Sequence, residues 1–367
     1  MNQPNALAAS GPPQTGRRNR TAARRATWAP ALVMGAVAAS ILFLSLAKWP
    51  DTPDGWLHLQ RTRALGEAFR YGVLYPHWFP DFSFGYGYPV LNFYSPAFYY
   101  PPALLAWLGV GVVDAVRISL AVGYGISAAA MYILLRTRSS GIAALTGTVL
   151  FLLFPYRLYD LFVRGALPEF AAFMWLPLIV YFSWPPVNSG DIPSKVWRLP
   201  PGGLAASLCW AGLILTHNLT AMMAAVMAAG AWILLAIVTL VRVPRAEARS
   251  AVLWRYSLHI LVPVLLGALL SAWYWVPALM EAGWVGIGAG ASGAGYANHF
   301  ATWGDLFTWA LVYPYPAAAA PTVPLPSWIL AVLLLAAIGV ARKSTAPLRT
   351  ALLLPCGGSH CDLADDG

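Results

Sequence analysis

Residues Leu219 to Val241 read LTAMMAAVMAAGAWILLAIVTLV, 23 consecutive residues without a single charge. About 20 apolar residues cross the hydrocarbon core of a bilayer as one helix. The run is flanked by His217-Asn218 on one side and by Arg242 and Arg245 on the other. Its length and its charged exit predict a membrane span.

Working outward, the same pattern recurs. Further spans are predicted at Ala29–Ala47, Val116–Leu135, Ile142–Tyr156, Pro168–Trp184, Gly203–Thr216, Ser257–Val276 and Leu325–Ala341. Composition agrees, since 59% of the 367 residues are hydrophobic and only 10% are charged. A soluble domain carries roughly 25% charged residues. The chain has 17 Trp and 17 Tyr, which suit a protein with two membrane interfaces. A net charge of +9 raises the question of nucleic acid. The basic residues lie in short clusters between apolar runs, so no nucleic-acid partner is expected. Cys209 sits in an apolar run and reads as a small buried hydrophobe. Cys356, His360 and Cys361 are too few for a metal finger.

The segment Ala97–Val113 has Pro101 and Pro102 near its start and Gly109 and Gly111 near its end. A re-entrant or interfacial segment is its alternative to a span. Omitting it and placing the N-terminus in the cytoplasm puts most Lys and Arg inside. These are Arg17 to Arg25, Arg136, Arg138, Lys195, Arg198, Arg242 to Arg255 and Arg342 to Arg349. Positive residues concentrate in cytoplasmic loops. Counting the segment as a span would move Arg242, Arg245, Arg249 and Arg255 outside. The expectation is therefore an all-α polytopic protein with a basic, disordered tail over residues 1–27. About eight spans occupy 28–341, with one long outer loop over 48–115. The first span is read as an uncleaved signal anchor. Residues 342–367 are abruptly polar and read as a truncated or frame-shifted end.

This topology brings Asp51, Asp54, His58, Asp160, Arg164, Glu169, His217, Glu281 and His299 to one face, although they come from separate loops. Loops collect polar residues in any case, so sidedness alone is a modest signal. The first outer loop says more. Leu57, Leu65 and Phe69 have helical spacing and predict a surface-lying amphipathic helix from Trp56. An aromatic, Gly- and Pro-rich stretch follows.

The element Asp54-Gly55-Trp56-Leu57-His58 resembles the opening of bacterial multi-spanning proteins with a 6-pyruvoyl-tetrahydropterin synthase related domain. So do Gly85-Tyr86-Gly87-Tyr88-Pro89 and Asn92-Phe93-Tyr94-Ser95-Pro96. Downstream, Tyr159-Asp160, Arg164 to Glu169, Thr216-His217-Asn218, Trp273 to Glu281 and Asn298-His299-Phe300 continue the likeness over roughly residues 30 to 310. That family in turn resembles the C-type (GT-C) membrane glycosyltransferases. The resemblance implies a GT-C-like helical bundle in a bacterial inner membrane, with a polyprenyl-phosphate sugar donor and an acid in the first outer loop. The acceptor would be an envelope glycan, lipid or protein. Pterin chemistry is not implied, since no zinc-binding histidine set is present. The alternatives are a transporter or flippase of lipid-linked glycans, a non-catalytic envelope-assembly protein, and an inactive fragment.

Sugar transfer needs a carboxylate to take the acceptor's proton and a cation for the departing phosphate. Asp54 is the candidate base, with helix N-capping as its structural alternative and Asp51 as runner-up. His58, one turn on, would orient the carboxylate or the phosphate, or simply sit at the interface. Arg164 would grip phosphate and Glu169 would position the acceptor or a divalent metal. A mutual ion pair is the structural alternative for both. No cofactor is assigned. His217 and Asn218 are binding candidates or a satisfied hydrogen-bonded pair, and Glu281 and His299 complete the set.

Overall fold

Each apolar run of the described residues becomes a helix, because in lipid a backbone must satisfy its own hydrogen bonds. The computed structural model describes residues 15–137, 139–183, 202–242 and 246–285. Its helices are α1 (Thr15–Ser45), α2 (Gly55–Arg70), α3 (Val90–Phe93), α4 (Tyr100–Trp107), α5 (Val112–Arg136), α6 (Gly141–Leu152) and α7 (Pro155–Tyr159). Then follow α8 (Leu167–Ala172), α9 (Trp175–Ser183), α10 (Gly203–Thr216), α11 (Asn218–Arg242), α12 (Ala246–Tyr256), α13 (Val262–Leu270) and α14 (Ala272–Glu281). Among the described residues there is no strand, only one isolated bridge between Phe79 and Tyr88.

Five helical stretches are long and apolar enough to cross a membrane: Trp28–Ser45, Val112–Arg136, Gly141–Arg164, Asn218–Val241 and Arg249–Leu270. Two more, Leu167–Ser183 and Gly203–Thr216, are apolar but shorter. The chain is an all-α polytopic membrane protein. The expected span Leu325–Ala341 and the polar end lie outside the described residues, as do residues 1–14.

Boundaries differ from expectation at α1, at the third span and at the seventh, where the expected span is Ser257–Val276 and Arg249–Leu270 is found. Helix α1 starts at Thr15 and takes in Arg17 to Arg25, which composition had placed in a disordered tail. Ala and Arg are good helix formers, and no Gly or Pro interrupts between Gly16 and Pro30. The third span also runs past Tyr156. Phe154 breaks the helix, Pro155 restarts it at the first turn, and a π-helical turn over Asp160–Arg164 completes it.

The longest element contained within segment 97–113 is the eight-residue helix α4, preceded by a 3-10 turn over Ala97–Tyr99 and followed by the start of α5 at Val112. At about 1.5 Å per residue α4 is too short to cross. It packs instead on α2, where a Cβ at Gly66 would lie 3.2 Å from the Ala103 carbonyl. The loop between α1 and α5 is thus a folded cap. Leu46 at the end of α1, Leu59 and Leu65 of α2, Phe79, Leu91 and Tyr99 of the loop, and Leu120 of α5 share one buried cluster. Below it α1 and α5 approach closely at Gly35 and Gly125, where an added Cβ would meet the facing carbonyl at 2.9 and 2.7 Å. Small residues permit such contact between membrane helices.

Candidate functional site

Three segments far apart in sequence meet under the cap. The turn before α2 supplies Asp54, whose backbone N–H donates to the Arg164 carbonyl at 3.2 Å. The π turn ends at Gly165 in the left-handed conformation, with φ of +74°. A Cβ there would fall 2.2 Å from Thr52 Oγ1 and 2.7 Å from the Gly55 nitrogen. Only glycine fits that contact, which fixes Asp54 beside Arg164. The third segment is the break between α10 and α11 at His217. Asn218 begins α11, and its N–H donates to Ser95 Oγ at 3.1 Å, while Ser95 Oγ donates to the Ile214 carbonyl at 3.1 Å. Between these segments lies a cavity of about 200 Å³, lined by Asp54, Tyr94, Ser95, Arg164, Ala166, Pro168, Glu169, His217, Asn218 and Leu219.

Its charges are arranged, not scattered. Arg164 Nη1 donates to Asp160 Oδ1 at 2.7 Å, to Glu169 Oε2 at 3.1 Å and to Tyr156 Oη at 3.2 Å. Tyr156 Oη donates to Glu169 Oε1 at 2.5 Å. Asp160 is fully buried and Arg164 is partly exposed to the cavity side. Every side-chain hydrogen bond that Arg164 makes among the described residues uses Nη1, so Nε and Nη2 stay available to a ligand. Asp54 occupies the N-cap position of α2, but its carboxylate makes no capping hydrogen bond. His217 Nδ1 accepts from the Thr220 N–H at 3.3 Å, which leaves the proton on Nε2. Burial depresses the His217 pKa first, with Glu169 opposing and Arg164 adding to the effect. The ring is therefore a neutral donor. The N-terminus of the 25-residue α11 adds the positive end of a helix dipole at the same wall. A lining of carboxylates together with N–H donors and a guanidinium suits a ligand that combines hydroxyls with an anionic group.

Residues 91–357, nearly three quarters of the chain, match the 6-pyruvoyl-tetrahydropterin synthase related domain, described as a membrane protein. The chain belongs to this family. No curated protein and no solved structure matches it. The matched part of this family member contains Arg164, Glu169, His217 and Asn218, whereas Asp51, Asp54 and His58 precede it.

Of the residues singled out in the sequence of this family member, Asp54, Arg164, Glu169, His217 and Asn218 line the cavity together. Asp51 is exposed and does not line it. Glu281 is also apart, accepting from Asn92 Nδ2 at 2.6 Å and so tying α14 to α3. His299 lies outside the described residues. Among the described residues no group of three or more His, Cys, Asp or Glu side chains is placed to hold a metal. Sequence reading passed over Tyr156, whose hydroxyl joins Arg164 to Glu169, and it did not assign roles to Tyr94 and Ser95. The last two were on view in the Asn92-Phe93-Tyr94-Ser95-Pro96 element.

His58 is a correction. Its helical spacing does put it near Asp54, but it turns into the core with Leu59, Thr62 and Leu65 and is only 2% exposed. Arg61 Nη1 donates to Tyr99 Oη at 3.0 Å, and Tyr99 Oη shares a hydrogen bond of 2.8 Å with His58 Nδ1. The ring stands behind Tyr94, not in the cavity.

Burial, then the charges of Arg61 and His217, push the His58 pKa down to about 3. An unfolded histidine titrates near 6.5. Between these values the unfolded chain binds a proton that the folded one refuses. The stability is complete above about pH 6.5 and falls on acidification by up to roughly 1.4 kcal/mol per unit. Taking the protein from pH 7 to pH 5 should cost about 2 kcal/mol through this residue. His58→Gln should flatten the fall in apparent unfolding temperature over that interval, and parallel curves for the two proteins would refute the assignment.

Gly165→Ala tests the contact that sets Asp54 beside Arg164. The strain and the clash should together cost about 1–3 kcal/mol. Thermal unfolding in detergent reads this directly, and an unchanged midpoint would mean that the two loops are not locked together.

Proposed function

We propose that this protein transfers a sugar from a polyprenyl-phosphate donor to an acceptor of the cell envelope, with GT-C-like architecture. The observation that supports this reading is the convergence of Asp54, Arg164, Glu169, His217 and Asn218 on one cavity. In this mechanism the acceptor hydroxyl gives its proton to Asp54 as its oxygen bonds to the anomeric carbon. The bond from that carbon to the phosphate oxygen breaks. Polyprenyl phosphate leaves with the electron pair, and Arg164, His217 Nε2–H and the start of α11 receive its charge. Asp160, Glu169 and Tyr156 hold Arg164 in place. The proposed orientation has the N-terminus in the cytoplasm of a bacterium and the cavity opening on the outer face of its inner membrane.

The test is direct. Full-length protein reconstituted in vesicles is given radiolabelled polyprenyl-phosphate hexose and an envelope lipid extract. Appearance of free polyprenyl phosphate with labelled acceptor supports the reading. If the donor survives intact, or crosses the bilayer unchanged, sugar transfer is the wrong activity.

A further inference from the structure

The aromatic hairpin of the cap is the part of the molecule that the cavity does not use. Phe79 and Tyr88 pair through two backbone hydrogen bonds of 3.0 Å, and Phe82 stacks on Phe79 at 5.3 Å between ring centres. The base is therefore ordered. At the tip, Ser83 and Phe84 adopt φ of +52° and +58°, left-handed values that bulky side chains rarely take. The strained Phe84 is 103% exposed, so no contact among the described residues offsets it. Trp78 packs along the Gly87 backbone, where a Cβ would sit 2.1 Å from the indole nitrogen. Trp78, Tyr86, Tyr71 and Leu74 are exposed as well.

We infer that this hairpin tip is a lipid-docking element, with Phe84 and Tyr86 seated in the headgroup region of the bilayer. Three observations select lipid. Between Tyr71 and Val113 the only charged residue is Asp81, so the hairpin itself brings no Arg or Lys to a polar partner or an acidic surface, and the exposed cation that feels Asp81, Arg63, belongs to α2. Trp, Tyr and Phe without charge match the composition of the membrane interface. The patch is also continuous with lipid-facing helix. The Tyr75 ring meets Trp273 edge to face at 5.1 Å, and half-exposed Trp273 stands just beyond the candidate span Arg249–Leu270. The hairpin thus lies at the level where a span leaves the bilayer. The inference is independent of sugar transfer.

Single cysteines in place of Phe84 or Tyr86 test it in the full chain, with Cys356 and Cys361 changed to Ser and the buried Cys209 kept. Each is labelled with the fluorophore NBD and reconstituted in phosphatidylcholine vesicles. Lipids with a doxyl group high on the acyl chain should quench both labels at least twofold, and iodide in solution should not reach them. A label on Arg63→Cys, at an exposed site of α2, should show the reverse. Iodide quenching at 84 and 86 equal to that at 63 would overturn the inference. So would protection from iodide without quenching by doxyl lipid, which would mean that protein covers the tip.

Discussion

Asp54→Asn should lower sugar transfer by about 10²- to 10⁴-fold, the usual contribution of a general base, while leaving the fold intact. The substitution discriminates because Asn caps helices as well as Asp does. In this protein there is also no capping hydrogen bond to lose, since the Asp54 side chain makes none. Its structural contribution is the backbone bond to the Arg164 carbonyl, which Asn preserves. Donor binding should persist, because Arg164, Glu169 and Tyr156 keep their mutual bonds. Asp51→Asn is the internal control, since the exposed Asp51 does not line the cavity. Release of polyprenyl phosphate and the apparent unfolding temperature are measured on all three proteins. A wild-type rate for Asp54→Asn would remove the base, and an equal loss from Asp51→Asn would move the chemistry out of the cavity.

The spans were legible in sequence because a bilayer imposes one requirement on every residue of a run. Leu219–Val241 needed no partner to be read, and in the fold only 6% of Asn218–Val241 is buried. The cavity was legible only as a list of polar residues on one face. What assembles it is a contact across 110 positions, between Asp54 N–H and the Arg164 carbonyl, and a glycine at 165 that tolerates it. Neither follows from periodicity. His58 shows the limit from the other side. Helical spacing correctly put it one turn from Asp54, but which face of α2 is buried depends on α4 and on Tyr99, both of which lie beyond the helix. Glu281 was selected for its charge near a span end, and its partner Asn92 is 189 residues away.

Arg157 escaped the reading altogether, because one cation in an apolar run reads as a topology signal. It is 1% exposed, and its guanidinium carbon lies 5.1, 4.7, 5.2 and 4.9 Å from the ring centres of Tyr124, Phe151, Phe170 and Phe173. The cage comes from α5, α6 and the α8 region, so no window of sequence displays it. The one hydrogen bond of its guanidinium among the described residues is from Nη1 to Ser127 Oγ at 3.2 Å, and Nε has no partner there. A charge in such a place is costly unless something answers it. The rings supply part of the answer, at about 0.5–2 kcal/mol for a desolvated cation–π contact. Asp160 is fully buried and within reach of the Arg157 charge, but its carboxylate hydrogen-bonds Arg164 and not Arg157. Arg157→Met keeps the bulk and removes the cation, and with it the contacts to the four rings and the bond to Ser127. Losing these should cost about 1–3 kcal/mol. Arg157→Lys keeps the charge but loses the flat face that stacks on the rings, and should fall between Met and wild type. Thermal unfolding of the three proteins in one detergent gives the order. If Arg157→Met were as stable as wild type, the cage would serve packing alone.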